Sequence, residues 1–210
     1  MESYDERYAR PGLYWGNLPN GLCRRVVEIS STYSWTSPRV IDLGTGEGRD
    51  LLHFARNGFR AEGIDTSATG LAKAQDRAAA ENLSISTRQA DLRTVRLEGS
   101  YHVVYSSGTL TYLTPDERRD RFSRFKEVTS RGGIHAVNAF VEKPYLGLPP
   151  DWGADEHYYR SGELLSHYWD WEILESMEEE FECTSGGVRH RHAMDTVIAR
   201  RPTQEGHVEQ

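Results

Sequence analysis

The chain has 210 residues, 37% of them apolar and 27% charged, which suits one folded domain with its own core and excludes a disordered or fibrous protein. Its formal net charge of −7 argues against an extended surface for nucleic acid or anionic membrane, while leaving room for a small basic pocket. No apolar run approaches the roughly 20 residues of a membrane span, and residues 1–10 alternate charge with tyrosine in place of the apolar core of a signal peptide, so a cytoplasmic location is expected.

In chain order, residues 1–37 read as an N-terminal lid. Within them Leu22, Val26, Val27 and Ile29 give Gly21–Ser30 a helical apolar stripe, whereas Tyr14-Trp15-Gly16-Asn17-Leu18-Pro19-Asn20 suits neither helix nor strand and is placed over a pocket. From Arg39 strands and helices alternate. Strands are expected at Arg39–Leu43, Arg60–Asp65, Leu83–Gln89, His102–Ser106 and, after the Gly132-Gly133 turn, Ile134–Val141. The intervening helices are Arg49–Asn57, Ala68–Glu81 and Pro115–Ser130. A short helix over Ser161–Tyr168, with Ser161 as its N-cap, precedes a hairpin of Glu172–Met177 and Val188–Ala199. Such alternation predicts an α/β Rossmann-like fold: a seven-stranded, mostly parallel sheet with helices on both faces and an antiparallel C-terminal hairpin. Residues 1–200 are read as a single domain and the polar stretch 201–210 as a flexible tail.

The chemistry-bearing segment is Asp42-Leu43-Gly44-Thr45-Gly46-Glu47-Gly48-Arg49, a strand, a glycine turn and a helix start in that order. Glycines let the backbone approach a ligand closely, and the helix start offers unpaired N–H groups. The third glycine is one place early for a dinucleotide loop, and no G-K-[ST] is present for a Walker A loop. Asp65 ends the second strand about 20 residues after the loop, where a carboxylate can accept from both hydroxyls of a ribose. Asp91-Leu92 follows the third strand. Any one of these acids would serve as a turn or cap residue; three at successive strand ends beside a glycine loop point to a nucleoside ligand.

The D-x-G-x-G-x-G loop resembles motif I of class I methyltransferases that use S-adenosylmethionine (SAM). The resemblance implies that Asp42 orders the loop near the methionine part of SAM, Asp65 binds the ribose, and Asp91 accepts from the adenine amino group while Leu92 flanks the ring. Further segments narrow it: Ala55-Arg56-Asn57-Gly58-Phe59, Glu81-Asn82-Leu83, Gly162-Glu163-Leu164 with Tyr168 and Trp171, and Thr196-Val197-Ile198-Ala199-Arg200. With these the chain is similar to the tellurite-resistance (TehB-like) methyltransferase family over nearly everything after residue 39. The opening Tyr14-Trp15-Gly16-x-x-Pro19-Asn20 also resembles small thiol-type methyltransferases, in which an N-terminal lid covers SAM and shapes the acceptor site. One departure concerns the acceptor. Where family members that handle oxyanions carry a His-Arg pair, this chain has Phe181-Glu182, an apolar residue and an acid that would not hold an anion; Arg189 aligns with a further basic position.

The candidate cofactor-binding residues are therefore Tyr14, Trp15, Asp42, Gly44, Thr45, Gly46, Gly48, Arg49, Asp65, Thr66, Asp91, Leu92 and Ser106, with SAM as cofactor and S-adenosylhomocysteine (SAH) as product. Candidates at the acceptor are Tyr112 and, in the basic run Arg189-His190-Arg191-His192, Arg189 as an anion contact and His190 as a base. The same run also suits a charged edge strand that resists aggregation. Residues 141–160 form a long aromatic loop that either lines a pocket for an organic acceptor or packs onto the body. Cys23 and Cys183 lie far apart and show no zinc spacing, so they read as structural thiols and no metal is expected. The reading is a methyltransferase acting on a small molecule, a thiol or chalcogen or a secondary-metabolite hydroxyl or amine, and not on nucleic acid. The alternatives are an NAD(P)-dependent oxidoreductase on a similar fold and a SAM-binding relative without turnover.

Overall fold

In the computed structural model, residues 2–150, 152–184 and 187–203 are described. Five strands run parallel: β1 (Arg39–Leu43), β2 (Arg60–Asp65), β3 (Ile85–Gln89), β4 (Tyr101–Ser107) and β5 (Thr129–Val141). With β6 (Glu172–Cys183) and β7 (His190–Arg200) they form one sheet of order β3-β2-β1-β4-β5-β7-β6, in which β7 is antiparallel to both neighbours. This is the predicted fold class. Central strands are apolar on both faces because helices cover both. Val40 and Val103 share a core with Leu22, Val26, Leu51 and Phe54 of α2 (Gly21–Ser30) and α3 (Arg49–Arg56). Ile41 and Val104 share the opposite core with Phe122 and Phe125 of α5 (Pro115–Glu127), and with Tyr159 and Tyr168. Among the described residues no helix is long and apolar enough to cross a membrane.

Local chemistry explains most element ends. Asn20 caps α2 by accepting from the Leu22 N–H at 2.8 Å. Ser67 caps α4 (Ala68–Ala80) by accepting from Gly70 at 3.0 Å, and Thr114 with Glu117 forms a capping box before Pro115. Beyond shifts of one or two residues at other element ends, four differences have a local cause. Residues 129 and 130 belong to β5, not to α5; Gly132, at φ +72°, makes an irregularity inside that strand. The short helix α6 is Glu163–Ser166, capped at Gly162, because the Ser161 hydroxyl accepts from Lys143 Nζ at 2.6 Å instead. β6 continues past Met177 through Glu178-Glu179-Glu180, residues of poor strand propensity, because Lys143 and Arg191 pair with Glu178 and Glu180. Residues 4–9, unassigned from sequence, form helix α1 (Tyr4–Ala9), opened by a Ser3–Glu6 capping box and burying one side chain, Tyr8. Of the expected tail, Arg201 is held by backbone bonds to Gly132 and Gly133, and residues 204–210 lie outside the described residues.

A buried imidazole carries a stability prediction. His135 is fully buried, with Nε2 2.7 Å from Thr129 Oγ1 and Nδ1 3.0 Å from the Tyr168 hydroxyl. Burial, aided by the nearby Lys126 charge, pushes its pKa down to about 3. The unfolded chain binds this proton first, near 6.5. Its contribution is thus intact above pH 6.5 and is lost, by up to about 1.4 kcal/mol per pH unit, as pH falls towards 3. The melting-temperature gap between wild type and His135→Gln should therefore narrow from pH 7 to pH 4.5; a constant gap would show that His135 is not the titrating group.

Candidate active site

Strand order reverses between β1 and β4, so the connections after these strands leave on opposite faces and their carboxyl ends open a crevice. A cavity of about 600 Å³ lies there, the size of a small-molecule site. Its floor is the loop after β1, with Asp42, Gly44, Thr45, Gly46 and Arg49, joined by Asp65 and Thr66 after β2, Asp91 and Leu92 after β3, and Ser107 to Thr109 after β4. Gly44 has φ +85°, and a Cβ there would sit 2.1 Å from Thr109 Oγ1, so only glycine fits. Asp65 holds the loop open: its carboxylate accepts from Gly46 N at 2.8 Å and Ser67 N at 2.9 Å.

Of the expected lid, residues 1–37, α1 and the segment to Asn20 line the cavity, whereas α2 packs into the core with Val40 and Val103. Asp5 accepts from the Ser67 hydroxyl at 2.6 Å and Thr69 N at 3.0 Å, docking α1 on the start of α4. The buried Glu47 accepts from Tyr14 N at 2.7 Å and Lys73 Nζ at 2.9 Å, tying this N-terminal segment to the glycine loop. Trp15 donates to the Tyr8 hydroxyl at 3.2 Å, and Asn20 binds Asp50 and Ser107. Tyr4, Arg7, Tyr8, Tyr14 and Trp15 thus face the cavity. The opposite end is apolar and aromatic, with Phe140, Trp152, Phe181 and Met194 around His192 and Cys183. The 141–160 loop therefore does both things expected of it: Trp152 lines the cavity and stacks on Tyr158 at 3.6 Å, while Tyr159 packs into the core.

Most sequence-derived candidates meet at this cavity, and four do not. Ser106 is fully buried and donates to Leu43 O at 3.0 Å; strand alternation turns the next residue, Ser107, to the cavity instead. Gly48 caps α3 at φ +76° beneath the loop, where a Cβ would press on Ala74 and Leu52, so its role is packing. Arg189 lies exposed and binds Glu182. His190 sits behind His192, their Nε2 atoms 2.9 Å apart, and it is His192 that lines the cavity. Cys183, read as a structural thiol, also faces it. Asp91 lines the cavity with its carboxylate already gripped by Arg93 at 2.6 Å, which lowers its pKa. Tyr112 donates to Glu156 at 2.8 Å; burial raises its phenol pKa, so it is a donor and not a base.

The lining of the cavity is rich in acids. Carboxylates (Asp5, Asp42, Glu47, Asp50, Asp65, Asp91, Asp155, Glu156) outnumber guanidinium groups (Arg7, Arg49, Arg93) in the lining by eight to three. Burial, with Asp50 nearby, pushes the Asp42 pKa up to about 8, and burial also raises Asp65 against the pull of its backbone donors. Such a cavity favours a cation and opposes the pyrophosphate of a dinucleotide. SAM carries a sulfonium and an ammonium, so the glycine cradle, the Asp65 carboxylate at the end of β2 and this acidic lining fit it. Asp42 would sit with its methionine part, and Asp91 and Leu92 with its adenine.

Comparison with known proteins agrees. A family model described as a methyltransferase domain matches residues 40–133. The chain is 26% identical over 166 residues to the Haemophilus influenzae (strain Rd) protein named "Probable S-adenosyl-L-methionine-dependent methyltransferase TehB", covering 78% of this chain and 57% of that one. The crystal structure of Haemophilus influenzae TehB superposes with a TM-score of 0.74 at 25% identity, over 85% of this chain and 62% of that one. This chain thus spans less than two thirds of the TehB proteins it matches. In fold alone, magnesium protoporphyrin IX methyltransferase of Synechocystis PCC 6803 with bound SAM also matches, with a TM-score of 0.63 at 17% identity, covering 85% of this chain and 77% of that one. With a motif I loop, three strand-end acids and an acid-rich cavity in the expected places, the chain carries a methyltransferase domain match over residues 40–133 and is similar to the SAM-dependent methyltransferase TehB.

Proposed function

We propose that this chain transfers the methyl group of SAM to a small organic molecule through a thiol or a related chalcogen. The observation that carries this reading is the composition of the cavity's far end. Phe140, Trp152, Phe181 and Met194 surround it, whereas Arg189 and Arg191, the cations an oxyanion would need, are engaged outward by Glu182 and Glu180. An apolar wall desolvates a soft nucleophile and gives little hold to tellurite or selenite. SAM, when bound, supplies the activated methyl group. The protein's task is to align the acceptor and exclude water. The lid does this through Tyr14 and Trp15, anchored by Glu47 and Tyr8. Tyr112 and Glu156 close the seam, with the Tyr4 ring 6.3 Å from Tyr112. A thiolate needs no general base at this site, which suits a phenol held protonated at Tyr112.

Release of SAH should be measured with alkyl and aryl thiols, selenite, tellurite, polyphenols and amines. Turnover on the thiols is expected, with Trp152→Ala raising the KM for an aryl thiol more than that for SAM. Turnover confined to oxyanions, or to hydroxyls and amines, would overturn the thiol reading and leave the methyltransferase reading untouched.

A further inference from the structure

The end of the β6–β7 hairpin brings together three side chains that the sequence separates. Cys183 pairs across the strands with His190, and His192 follows on the same face. One ligand atom from each, the Cys183 sulfur and a ring nitrogen of each histidine, lies within 4.8 Å of the others. We propose that Cys183, His190 and His192 form a binding site for one thiophilic divalent cation, of the zinc class, at the acceptor end of the cavity.

Three further features support a metal over a chance cluster. A bound histidine ordinarily donates its second ring N–H to a carbonyl or carboxylate, which fixes the tautomer. His190 Nδ1 is 2.7 Å from Val188 O, and this bond leaves the Nε2 lone pair aimed at His192 Nε2, 2.9 Å away. Tetrahedral zinc, with Zn–N of about 2.0 Å and Zn–S of about 2.3 Å, needs its ligand atoms about 3.3–3.7 Å apart. Rotation of the Cys183 side chain and a small parting of the two rings would reach this spacing without moving the strands. Finally, the flanking cations are on the opposite face, where Arg189 and Arg191 bind Glu182 and Glu180, so none of them repels a metal here.

Three protein ligands leave a fourth position open, the arrangement of catalytic and not structural zinc sites. Cys183 and His192 both line the cavity, so that position faces it. Ligation takes the Cys183 proton, which leaves to solvent. A thiol acceptor entering the fourth position would lose its proton in the same way; this last step rests on the thiol-methylation reading, whereas the metal site does not.

The test uses the untagged chain, stripped with a chelator and titrated with cobalt(II), then zinc(II), in the absence of SAM. Uptake of one cobalt per chain is expected, with a thiolate-to-cobalt charge-transfer band that zinc abolishes. Cys183→Ser should remove the band, and His190→Ala should weaken zinc binding by ~100-fold, with the far-ultraviolet circular dichroism of both unchanged. If Cys183→Ser fails to fold, His190→Ala carries the same comparison from the half-exposed end of β7. No uptake by the wild type, or a band that survives Cys183→Ser and so belongs to Cys23, would overturn the proposal. Metal uptake without thiol turnover would instead sink only the thiol reading.

Discussion

Asp65→Ala is expected to weaken SAM and SAH binding by ~100–1000-fold in isothermal titration, the largest loss from any single side chain of the cofactor pocket. Its carboxylate has two jobs. It accepts from Gly46 N and Ser67 N, which fixes the turn between β1 and α3 against the start of α4. It also stands at the strand end where a ribose diol would donate to it. Hydrogen bonds to a charged acceptor contribute about 1.5–3 kcal/mol each, so losing a diol pair at the lower end of that range gives a change of this size before any loosening of the loop. Asp65→Asn keeps one acceptor oxygen and should fall between the two. A melting curve separates the roles: the loop contribution lowers the stability of the free protein, while the ribose contribution appears only as a smaller ligand-induced shift. Affinity within threefold of wild type in Asp65→Ala would mean that the ribose is held elsewhere.

The parts of this site that sequence made legible are those whose signal is local. The glycine loop, Asp42, Asp65 and Asp91 each sit at or just beyond the carboxyl end of a short strand, and the physics that places them acts over a few residues. Strand alternation, itself a local rule, also sets Arg189 and Arg191 on the face opposite His190 and His192. What escaped is set by phase or by distant partners. Ser106 and Ser107 differ by one residue in phase, and β4 extends one residue beyond its expected end, so which serine faces the cavity was decided by pairing with β1 and β5. Helix α1 is too short to announce itself, and its docking depends on Asp5 meeting Ser67 and Thr69 more than sixty residues away. Nothing in the glycine loop marks Glu47; only the fold reveals that it anchors Tyr14. Cys183 gave no spacing signal because its neighbours, His190 and His192, reach it across a hairpin. A search for cross-strand partners in the final hairpin, and not for sequence spacing, would have found that trio.

Asp42→Asn is expected to raise the stability of the free protein near neutral pH and to weaken SAM binding by ~10–100-fold, a separation of folding from function at one residue. Asp42 is almost wholly buried, and burial with Asp50 close by pushes its pKa up to about 8 from an ordinary 3.8. The folded chain therefore holds this proton more tightly than the unfolded chain. The sign follows: between about pH 4 and 8 the carboxyl costs stability as pH rises, at up to about 1.4 kcal/mol per pH unit. The amide removes that slope, so at pH 7 the variant should melt several degrees above wild type, and the gap should close by pH 4. His135 produces the opposite slope below pH 6.5, so between pH 4 and 6.5 the two offset each other in wild type and each shows only against its own variant. The same carboxyl is useful once a cation is present. A sulfonium and an ammonium in the cavity would stabilise ionised Asp42, so SAM binding should release a proton at pH 7, seen as a binding enthalpy that changes with the ionisation enthalpy of the buffer. Asp42→Asn should abolish that dependence. A variant that melts below wild type at pH 7, or binds SAM with the same buffer dependence, would show that Asp42 serves the loop alone and that the cavity's selectivity for a cation comes from its other acids.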